Sequence, residues 1–184
     1  VGTLIKPHWF ARFRLEEMEQ KAMYVQSWDT AIKAGEQHDA SACATFWVKD
    51  GVHYLVDMLV VKLEYPELKR RMMSHAAMFG PHALLIEDKA SGQSLLQDLR
   101  REAEIALIGI SPSADKVSRL MRVTPLMEAG KMALPGFASW LAAFEQEWFS
   151  FPDGAHDDQV DAVSQYLNWA RNSVNHAEMR IRRL

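Results

Sequence analysis

Three runs of β-forming residues follow one another in the first third of the chain. They cover residues 24–31, 42–48 and 53–61, and a polar loop at 33–39 separates the first run from the second. An Asp-Gly pair at 50–51 joins the second run to the third and favours a tight hairpin turn. We therefore predict a three-stranded antiparallel meander. The polar residues 12–21, which precede it, are compatible with a helix.

The pattern then changes to alternating helices and short apolar strands. Pro66 suits the first turn of a helix, in which apolar residues recur at helical spacing as far as Gly80. Residues 83–86 and 105–110 are continuous apolar runs, typical of strands buried on both faces, with a helix predicted at 91–102 between them. The order β-β-β-α-β-α-β predicts an α/β fold whose mixed sheet has an antiparallel side and a parallel side.

Helices dominate the remaining third. Residues 115–129 predict a helix that Pro125 kinks or divides, and residues 132–135 predict a short edge strand. Ser139 is placed to cap an aromatic-rich helix at 140–149. A second amphipathic helix, with the broadest apolar face in the chain, follows it.

Composition is consistent with one well-buried domain. The chain has 184 residues, of which 48% are hydrophobic and 24% are charged. The lone Cys43 excludes an internal disulfide and a Cys-based zinc site, and no apolar run is long enough to span a bilayer. We expect a soluble, intracellular protein. Because the chain opens on Val1 rather than Met, we also expect it to be a piece of a longer protein.

The chain is expected to comprise a lead-in segment at 1–20, one domain at 21–172 and a basic tail at 173–184. Its net charge of -3 gives no overall indication of nucleic-acid binding. Small basic clusters at 69–71, at 100–101 and in the tail are each compatible with a phosphate contact or with a solvated face.

The segment 156–162, with the sequence HDDQVDA, gathers three carboxylates at the head of the last helix. Like charges this close repel by about 1 kcal/mol per pair even in water, so the cluster indicates a bound cation. Helical geometry places Asp158 at the edge of the apolar arc, whereas Asp161 faces outward or supports the site from the side. Asp157 precedes the helix as a candidate N-cap.

Further acids stand where buried strands end: Asp29 after the first, and Glu87 with Asp88 after the fourth. If these strands are parallel neighbours, their acids meet at the edge where open α/β sheets form sites. Carboxylates without His or Cys ligands favour Mg²⁺ or Mn²⁺ over zinc. Each acid also has a structural explanation as a strand end or helix cap, and His156 as a polar loop residue, so only the joint pattern favours a site.

This combination of segments resembles the C-terminal nuclease domain of tailed-phage and prophage terminase large subunits. The resemblance runs from about residue 20 to about residue 170 and rests on SWDTA at 27–31, LIEDKASG at 85–92, DKVSR at 115–119, FP at 151–152 and HDDQVDA at 156–162. It implies a ribonuclease H-like fold, with a five-stranded mixed sheet of order 3-2-1-4-5 flanked by helices. No GxxxxGKS/T phosphate-binding loop occurs in the sequence, so this chain by itself is not expected to translocate DNA.

The resemblance also implies three catalytic acids: Asp29, Glu87 and Asp158. Asp157 is a close contender for the third position. Asp158 and Asp161 also resemble the paired acids on the last helix of Holliday-junction resolvases, which keeps Asp161 as an auxiliary metal ligand. Two divalent cations, Mg²⁺ or Mn²⁺, are implied as cofactors. Three basic residues are expected to contact DNA phosphates: Lys89, Lys116 and Arg119.

The implied function is metal-dependent endonuclease cleavage of double-stranded DNA concatemers during phage genome packaging. The implied partners are duplex DNA, the portal protein and the small terminase subunit, in the cytoplasm of the bacterial host. We expect the isolated domain to be monomeric and to have no membrane partner. Two alternatives stay open: another ribonuclease H-like nuclease, such as a Holliday-junction resolvase, and a docking module for the portal or small terminase subunit whose acids are catalytically weak.

Overall fold

A mixed β-sheet forms the centre of the structure, a computed structural model that describes residues 3–18, 23–31 and 40–181. Its strands in chain order are β1 (Ala11–Phe13), β2 (Tyr24–Asp29), β3 (Ser41–Lys49), β4 (Val52–Val61), β5 (Ala83–Glu87), β6 (Ala106–Ile110) and β7 (Met132–Pro135). In space they are ordered β1-β7-β4-β3-β2-β5-β6. Strand β3 pairs antiparallel with β2 and β4, whereas β5 is parallel to β2 and β6 is parallel to β5.

The five predicted strands are β2 to β6, and their spatial order β4-β3-β2-β5-β6 is the predicted 3-2-1-4-5. The predicted count of five was too low, because β7 adds parallel to β4 and β1 adds parallel to β7. Residues 132–135 therefore form an internal strand. On this side of the sheet the edge strand is β1. The polar pattern of residues 12–21 had favoured a helix there, because a strand of three residues is too short to show alternation. The predicted loop at 33–39 lies outside the described residues.

Six α-helices flank the sheet in the described part of the chain: α1 (Tyr65–Phe79), α2 (Ala90–Glu102), α3 (Lys116–Met121), α4 (Thr124–Glu128), α5 (Leu141–Ser150) and α6 (Asp158–Ile181). The predicted division at Pro125 is confirmed, with this residue in the first turn of α4. Asp115 caps α3 by accepting a hydrogen bond from the backbone N–H of Ser118 at 2.9 Å. The predicted Ser139 cap was wrong, because Trp140 occupies the N-cap position of α5 without a side-chain capping bond.

The helices cover both faces of the sheet and enclose a hydrophobic core on each. Helices α1 and α2 cover one face, over residues such as Trp28, whereas α5 and α6 cover the other. Within β5, Leu84 and Ile86 belong to the first core and Leu85 to the second. Burial on both faces explains the continuous apolar run that identified this strand in the sequence. No helix within the described ranges is long and apolar enough to cross a membrane.

Structured residues lie on both sides of the proposed domain limits. Ile5 and Phe10 are buried in the core beneath α5 and α6, and Arg12 of β1 forms an ion pair with Glu145 of α5 at 2.6 Å. At the other end, α6 continues past residue 173 to Ile181. The division into a lead-in segment, a domain and a basic tail stays a prediction.

A buried polar pair anchors α6 in the core. The Tyr166 ring stacks on Phe46 of β3 with ring centroids 4.0 Å apart, and its hydroxyl is hydrogen-bonded to Nδ1 of His53 in β4 at 2.7 Å. Burial lowers the pKa of His53 to about 4, because an imidazolium would lose its hydration there. The neutral imidazole thereby satisfies the tyrosine hydroxyl and ties α6 to the sheet.

His53 should make the stability of the fold depend on pH. Its pKa falls from 6.5 to about 4 on folding, so between these values the unfolded chain binds a proton that the folded chain does not. The free energy of unfolding should therefore fall by about 2 kcal/mol from this group as the pH is lowered from neutral to about 5. Urea unfolding at both pH values measures the effect, and His53→Gln should remove it. An equal pH dependence in the wild type and the variant would contradict this role.

Candidate functional site

Two acidic residues lie at the carboxyl edge of the central parallel strands. Asp29 is the last residue of β2 and Glu87 is the last residue of β5. The strands are parallel neighbours in register, with Trp28 opposite Ile86, as the strand order implied by the resemblance requires. Both carboxylates therefore leave the sheet at the same edge, where sites form in open α/β sheets.

Hydrogen bonds hold the first turns of α6 against β2. Ser27 Oγ donates to the carbonyl of Ala162 at 2.8 Å. Gln165 Nε2 donates to Ser27 Oγ at 3.0 Å and to the carbonyl of Trp28 at 3.1 Å. Because Ser27 and Trp28 directly precede Asp29, these bonds place the acidic end of α6 beside the acidic end of β2.

Glu147 of α5 caps α6 from outside the helix. Its carboxylate accepts hydrogen bonds from the backbone N–H groups of Gln159 at 2.7 Å and Val160 at 3.2 Å, and from Gln159 Nε2 at 2.6 Å. The first-turn N–H groups of a helix have no partner within it, and a carboxylate there also interacts favourably with the helix dipole. Asp157 does precede the helix, as predicted, but its carboxylate lies 2.7 Å from Lys116 Nζ instead.

A cavity of about 320 Å³ opens where these elements meet, and Asp29, Glu87 and Asp161 line one end of it. The cavity continues along α6 to Ser173. Asp161 was expected either to face outward or to support the site from the side, and its side chain is 10% exposed and borders the cavity. The bonds of Ser27 and Gln165 explain this position, because they draw the polar side of α6 onto the end of β2.

Asp158, the residue expected to be the main helix ligand, does not line this cavity. Burial, and then the charges of Glu147 and Asp157, raise its pKa. Its charge acts on Asp29 less than those of Asp161 and Glu87 do. The structure thus brings Asp29, Glu87 and Asp161 together and leaves Asp158 and Asp157 at the periphery.

Negative charge is concentrated at Asp29. Burial, followed by the charges of Asp161, Glu87 and Asp158, raises its pKa to about 8, although Lys116 acts in the opposite direction. Asp29 has no ion-pair partner in the part of the chain that the structure describes. A carboxyl group in this environment is largely protonated at neutral pH unless a further cation compensates its charge.

Three basic side chains reach the acids, and they are the residues predicted to contact DNA: Lys89, Lys116 and Arg119. Lys89 Nζ lies 2.9 Å from Glu87 Oε1. Lys116 Nζ lies 2.7 Å from Oδ2 of both Asp157 and Asp161. Arg119 contacts Asp161 Oδ1 at 3.1 Å and Glu87 Oε1 at 3.8 Å. In this structure their charges are directed at carboxylates.

The residues at this edge fit a hard divalent cation in their chemistry. Within the described ranges, no three His, Cys, Asp or Glu side chains are spaced to hold a metal ion as they stand. The charged donors that line the cavity are nevertheless carboxylates, namely Asp29, Glu87 and Asp161. The raised pKa of Asp29 reflects its burial first and then the negative charge of its acidic neighbours, which Lys116 offsets only in part. Lys116 and Arg119 explain in part why the acids are not spaced for a metal ion, because these two bases contact both carboxylate oxygens of Asp161.

A family profile described as the terminase RNaseH-like domain matches residues 26–169, which is most of the chain. The chain belongs to this terminase family. The matched region begins in β2 and ends in α6, so it includes Asp29, Glu87 and Asp161. No curated protein sequence matches the chain.

Solved phage terminase structures share the fold of this terminase domain. The large terminase nuclease from thermophilic phage G20c with bound zinc has a TM-score of 0.65 at 15% identity, over 86% of this chain and 92% of that one. The Thermus phage P74-26 large terminase nuclease domain has a TM-score of 0.60 at 14% identity, over 86% and 90%. A large terminase from a further thermophilic bacteriophage has a TM-score of 0.68 at 14% identity, over 89% of this chain and 42% of that one. The predicted ribonuclease H-like fold and terminase resemblance are confirmed.

Two positioning residues of this terminase domain were not identified from the sequence: Glu147 and Gln165. The backbone partners of Glu147 lie 12 and 13 residues further along, beyond a turn, so no periodic pattern links them. Gln165 shares the polar arc of α6 with Asp161, one turn away. That shared arc was the available signal, although it does not reveal that the arc packs against β2.

Asp29→Asn should stabilise the metal-free terminase domain. The folded pKa of Asp29 is about 8 and its ordinary value is 3.8, so its contribution to stability is complete below pH 3.8 and is lost as the pH rises toward 8. Urea unfolding in EDTA near pH 7.5 should show a gain of at least about 1 kcal/mol for the variant, and the gain should vanish near pH 4. Equal stability near pH 7.5 would contradict a carboxyl pKa raised by burial and by the neighbouring acids.

Glu147→Ala should destabilise the domain by about 1–3 kcal/mol, because it leaves the first-turn N–H groups of α6 without their carboxylate acceptor. Glu128→Ala is the matched control, since Glu128 is an exposed acid at the end of α4. Urea unfolding near neutral pH measures both variants. A loss in Glu147→Ala no larger than that in the control would rule out a capping role.

Proposed function

We propose that this chain is the nuclease domain of a phage terminase large subunit and that it cleaves double-stranded DNA in a divalent-metal-dependent reaction. The observation that supports this most is the cavity at the edge of β2 and β5, where Asp29, Glu87 and Asp161 lie together. Their charge exceeds what the adjacent bases neutralise at Asp29. A carboxylate cluster of this kind binds cations, and cations are what a polyanionic substrate needs in order to approach it.

Mg²⁺ or Mn²⁺ is the cofactor that we propose, with two ions per site. The G20c large terminase nuclease has been solved with bound zinc, with bound cobalt and with bound magnesium. In this chain no His or Cys lines the described cavity, and oxygen donors favour the harder cations. When bound, two such cations would lower the pKa of the attacking water and stabilise the leaving 3′ oxygen.

Acids from two strands and one helix of this chain would together be the ligands of the cations. Asp29 and Glu87 are fixed by adjacent strands, and Asp161 completes the set from α6. The sequence favoured Asp158 for the third position, whereas the lining of the cavity favours Asp161. Asp158 and Asp157 would then be outer carboxylates that add negative charge.

Basic residues around the acids suit a phosphate backbone. Lys89 is 58% exposed, and Arg122 borders the cavity beside Arg119. Contacts of this kind position DNA without reading its sequence. Cleavage should therefore show little sequence preference and should weaken steeply as the salt concentration rises.

The biological setting is part of the same proposal. The domain would cut concatemeric DNA during genome packaging in the host cytoplasm, together with the portal protein and the small terminase subunit. These partners belong to the whole terminase, of which this chain would be the nuclease part. The large terminase of which the match covers 42% is consistent with a larger parent protein.

A junction resolvase is the second candidate, because Asp158 and Asp161 are paired one turn apart at the head of α6. Supercoiled plasmid and a synthetic four-way junction, each incubated with Mn²⁺ and the purified chain, distinguish the two. The terminase proposal predicts that plasmid is cut and that the junction has no strong advantage. Strict preference for the junction would support a resolvase, and cleavage of neither substrate would support a docking module.

Asp29→Asn, Glu87→Gln and Asp161→Asn should each reduce plasmid cleavage in Mn²⁺ by at least about 100-fold, because each removes a proposed ligand. Asp158→Asn should reduce it less. Asp153→Asn is the matched control, since Asp153 is exposed in the turn before α6.

Initial cleavage rates on gels give the comparison, with circular dichroism to verify folding. Unchanged cleavage in Asp29→Asn would refute the proposed site. A greater loss in Asp158→Asn than in Asp161→Asn would restore Asp158 as the main helix ligand.

A further inference from the structure

The two α3 bases that face the acids are held with different firmness. The Arg119 side chain is 15% exposed and also donates to the carbonyl of Ala114 at 3.4 Å, while its own backbone carbonyl accepts a hydrogen bond from Asn168 of α6 at 3.0 Å. The Lys116 side chain is 48% exposed, and its described partners are two carboxylates. Arg119 is therefore fixed in the fold, whereas Lys116 can turn into solvent, where its ammonium is well hydrated.

Lys116 occupies the oxygen that a cation would require. Asp161 directs Oδ1 at Arg119 and Oδ2 at Lys116, at 3.1 Å and 2.7 Å. Because the Arg119 guanidinium, whose side chain is 15% exposed, holds Oδ1, Oδ2 is the oxygen that can be released to a cation. An ammonium and a divalent cation at one carboxylate oxygen would be like charges in contact, so each excludes the other.

We propose, on the basis of the proposed nuclease function, that Lys116 exchanges partners between the free and the substrate-bound protein. Without a cation, Lys116 pairs with Asp157 and Asp161. When a divalent cation binds Asp161, Lys116 is released and contacts a DNA phosphate. Lys116 is thus a positioning residue that couples the two binding events, so that each ligand strengthens the binding of the other.

A permanent structural ion pair would behave differently. An exposed pair such as Lys116 with Asp157, whose side chains are 48% and 37% exposed, contributes about 0–1 kcal/mol to stability. A permanent pair would also give Lys116 the same neighbours with and without DNA. Partner exchange instead predicts that the loss of Lys116 strengthens cation binding in the absence of DNA and reduces the effect of the cation on DNA binding by the contribution of one phosphate contact.

Cation binding is the first test, with Mn²⁺ alone as the probe. Isothermal titration of the metal-free chain should show that Lys116→Met lowers the Kd for Mn²⁺ by about 3- to 10-fold, because the competing ammonium is gone. Lys131→Met is the matched control, since Lys131 is an exposed lysine in the loop before β7 and changes the net charge equally. The control should leave the Kd unchanged.

DNA binding is the second test. Fluorescence anisotropy of a short labelled duplex, at several KCl concentrations in EDTA and in Mn²⁺, gives the slope of log Kd against log salt. Mn²⁺ should steepen the slope of the wild type by about 0.9 more than that of Lys116→Met, as one added phosphate contact requires. Lys116→Arg should retain the wild-type response. Gels run after each titration verify that the duplex is intact.

The proposal is overturned if folded Lys116→Met binds Mn²⁺ no more tightly than the wild type, or if Mn²⁺ changes both salt slopes equally. Circular dichroism verifies that the variant is folded. If the wild-type chain cuts plasmid and either of these results is obtained, the proposed partner exchange of Lys116 is overturned and the proposed nuclease function is not. A wild-type chain that binds no Mn²⁺ overturns both proposals.

Discussion

The burial and mutual repulsion of the carboxylates at the edge of β2 and β5 form the constraint on which the rest of this structure depends. Asp29 and Glu87 cannot separate, because adjacent parallel strands in register fix the spacing of their backbones. Asp161 cannot withdraw either, because the hydrogen bonds from Ser27 and Gln165 hold α6 against β2. The charge must therefore be compensated where it stands.

Two forms of compensation are visible in the protein. Asp29 favours its protonated form, and the bases of α3 and the β5–α2 connection pair with the other acids. A bound divalent cation would be the third form, and it would replace the others. Rigid elements that hold acids in an electrostatically unfavourable arrangement lower the stability of the fold. Such a cost is typical of sites where function requires the arrangement. The firmly packed helices on both faces of the sheet supply the stability that offsets it.

The sequence was sufficient for the parts of the fold that depend on local pattern. Continuous apolar runs identified β5 and β6, the Asp-Gly pair identified the β3–β4 turn, and strand ends identified Asp29 and Glu87. Edge strand β1 was missed because three residues carry no usable periodicity. The direction of Asp161 was left open between two alternatives because helical geometry ranks residues by the apolar face, whereas here a polar contact between Gln165 and β2 sets the orientation. Contacts that join separate elements, such as the bonds from the α6 backbone to the Glu147 carboxylate, leave no periodic pattern in the sequence.

Anomalous diffraction at the manganese edge, from crystals of this chain soaked in Mn²⁺, tests most directly whether these acids form a cation site. The charge crowding and the lining of the cavity predict anomalous density bounded by Asp29, Glu87 and Asp161, with the Lys116 ammonium turned away from Asp161 Oδ2. Anomalous density confined to other surface acids, or none at a saturating Mn²⁺ concentration, would contradict the assignment of this edge as a metal centre.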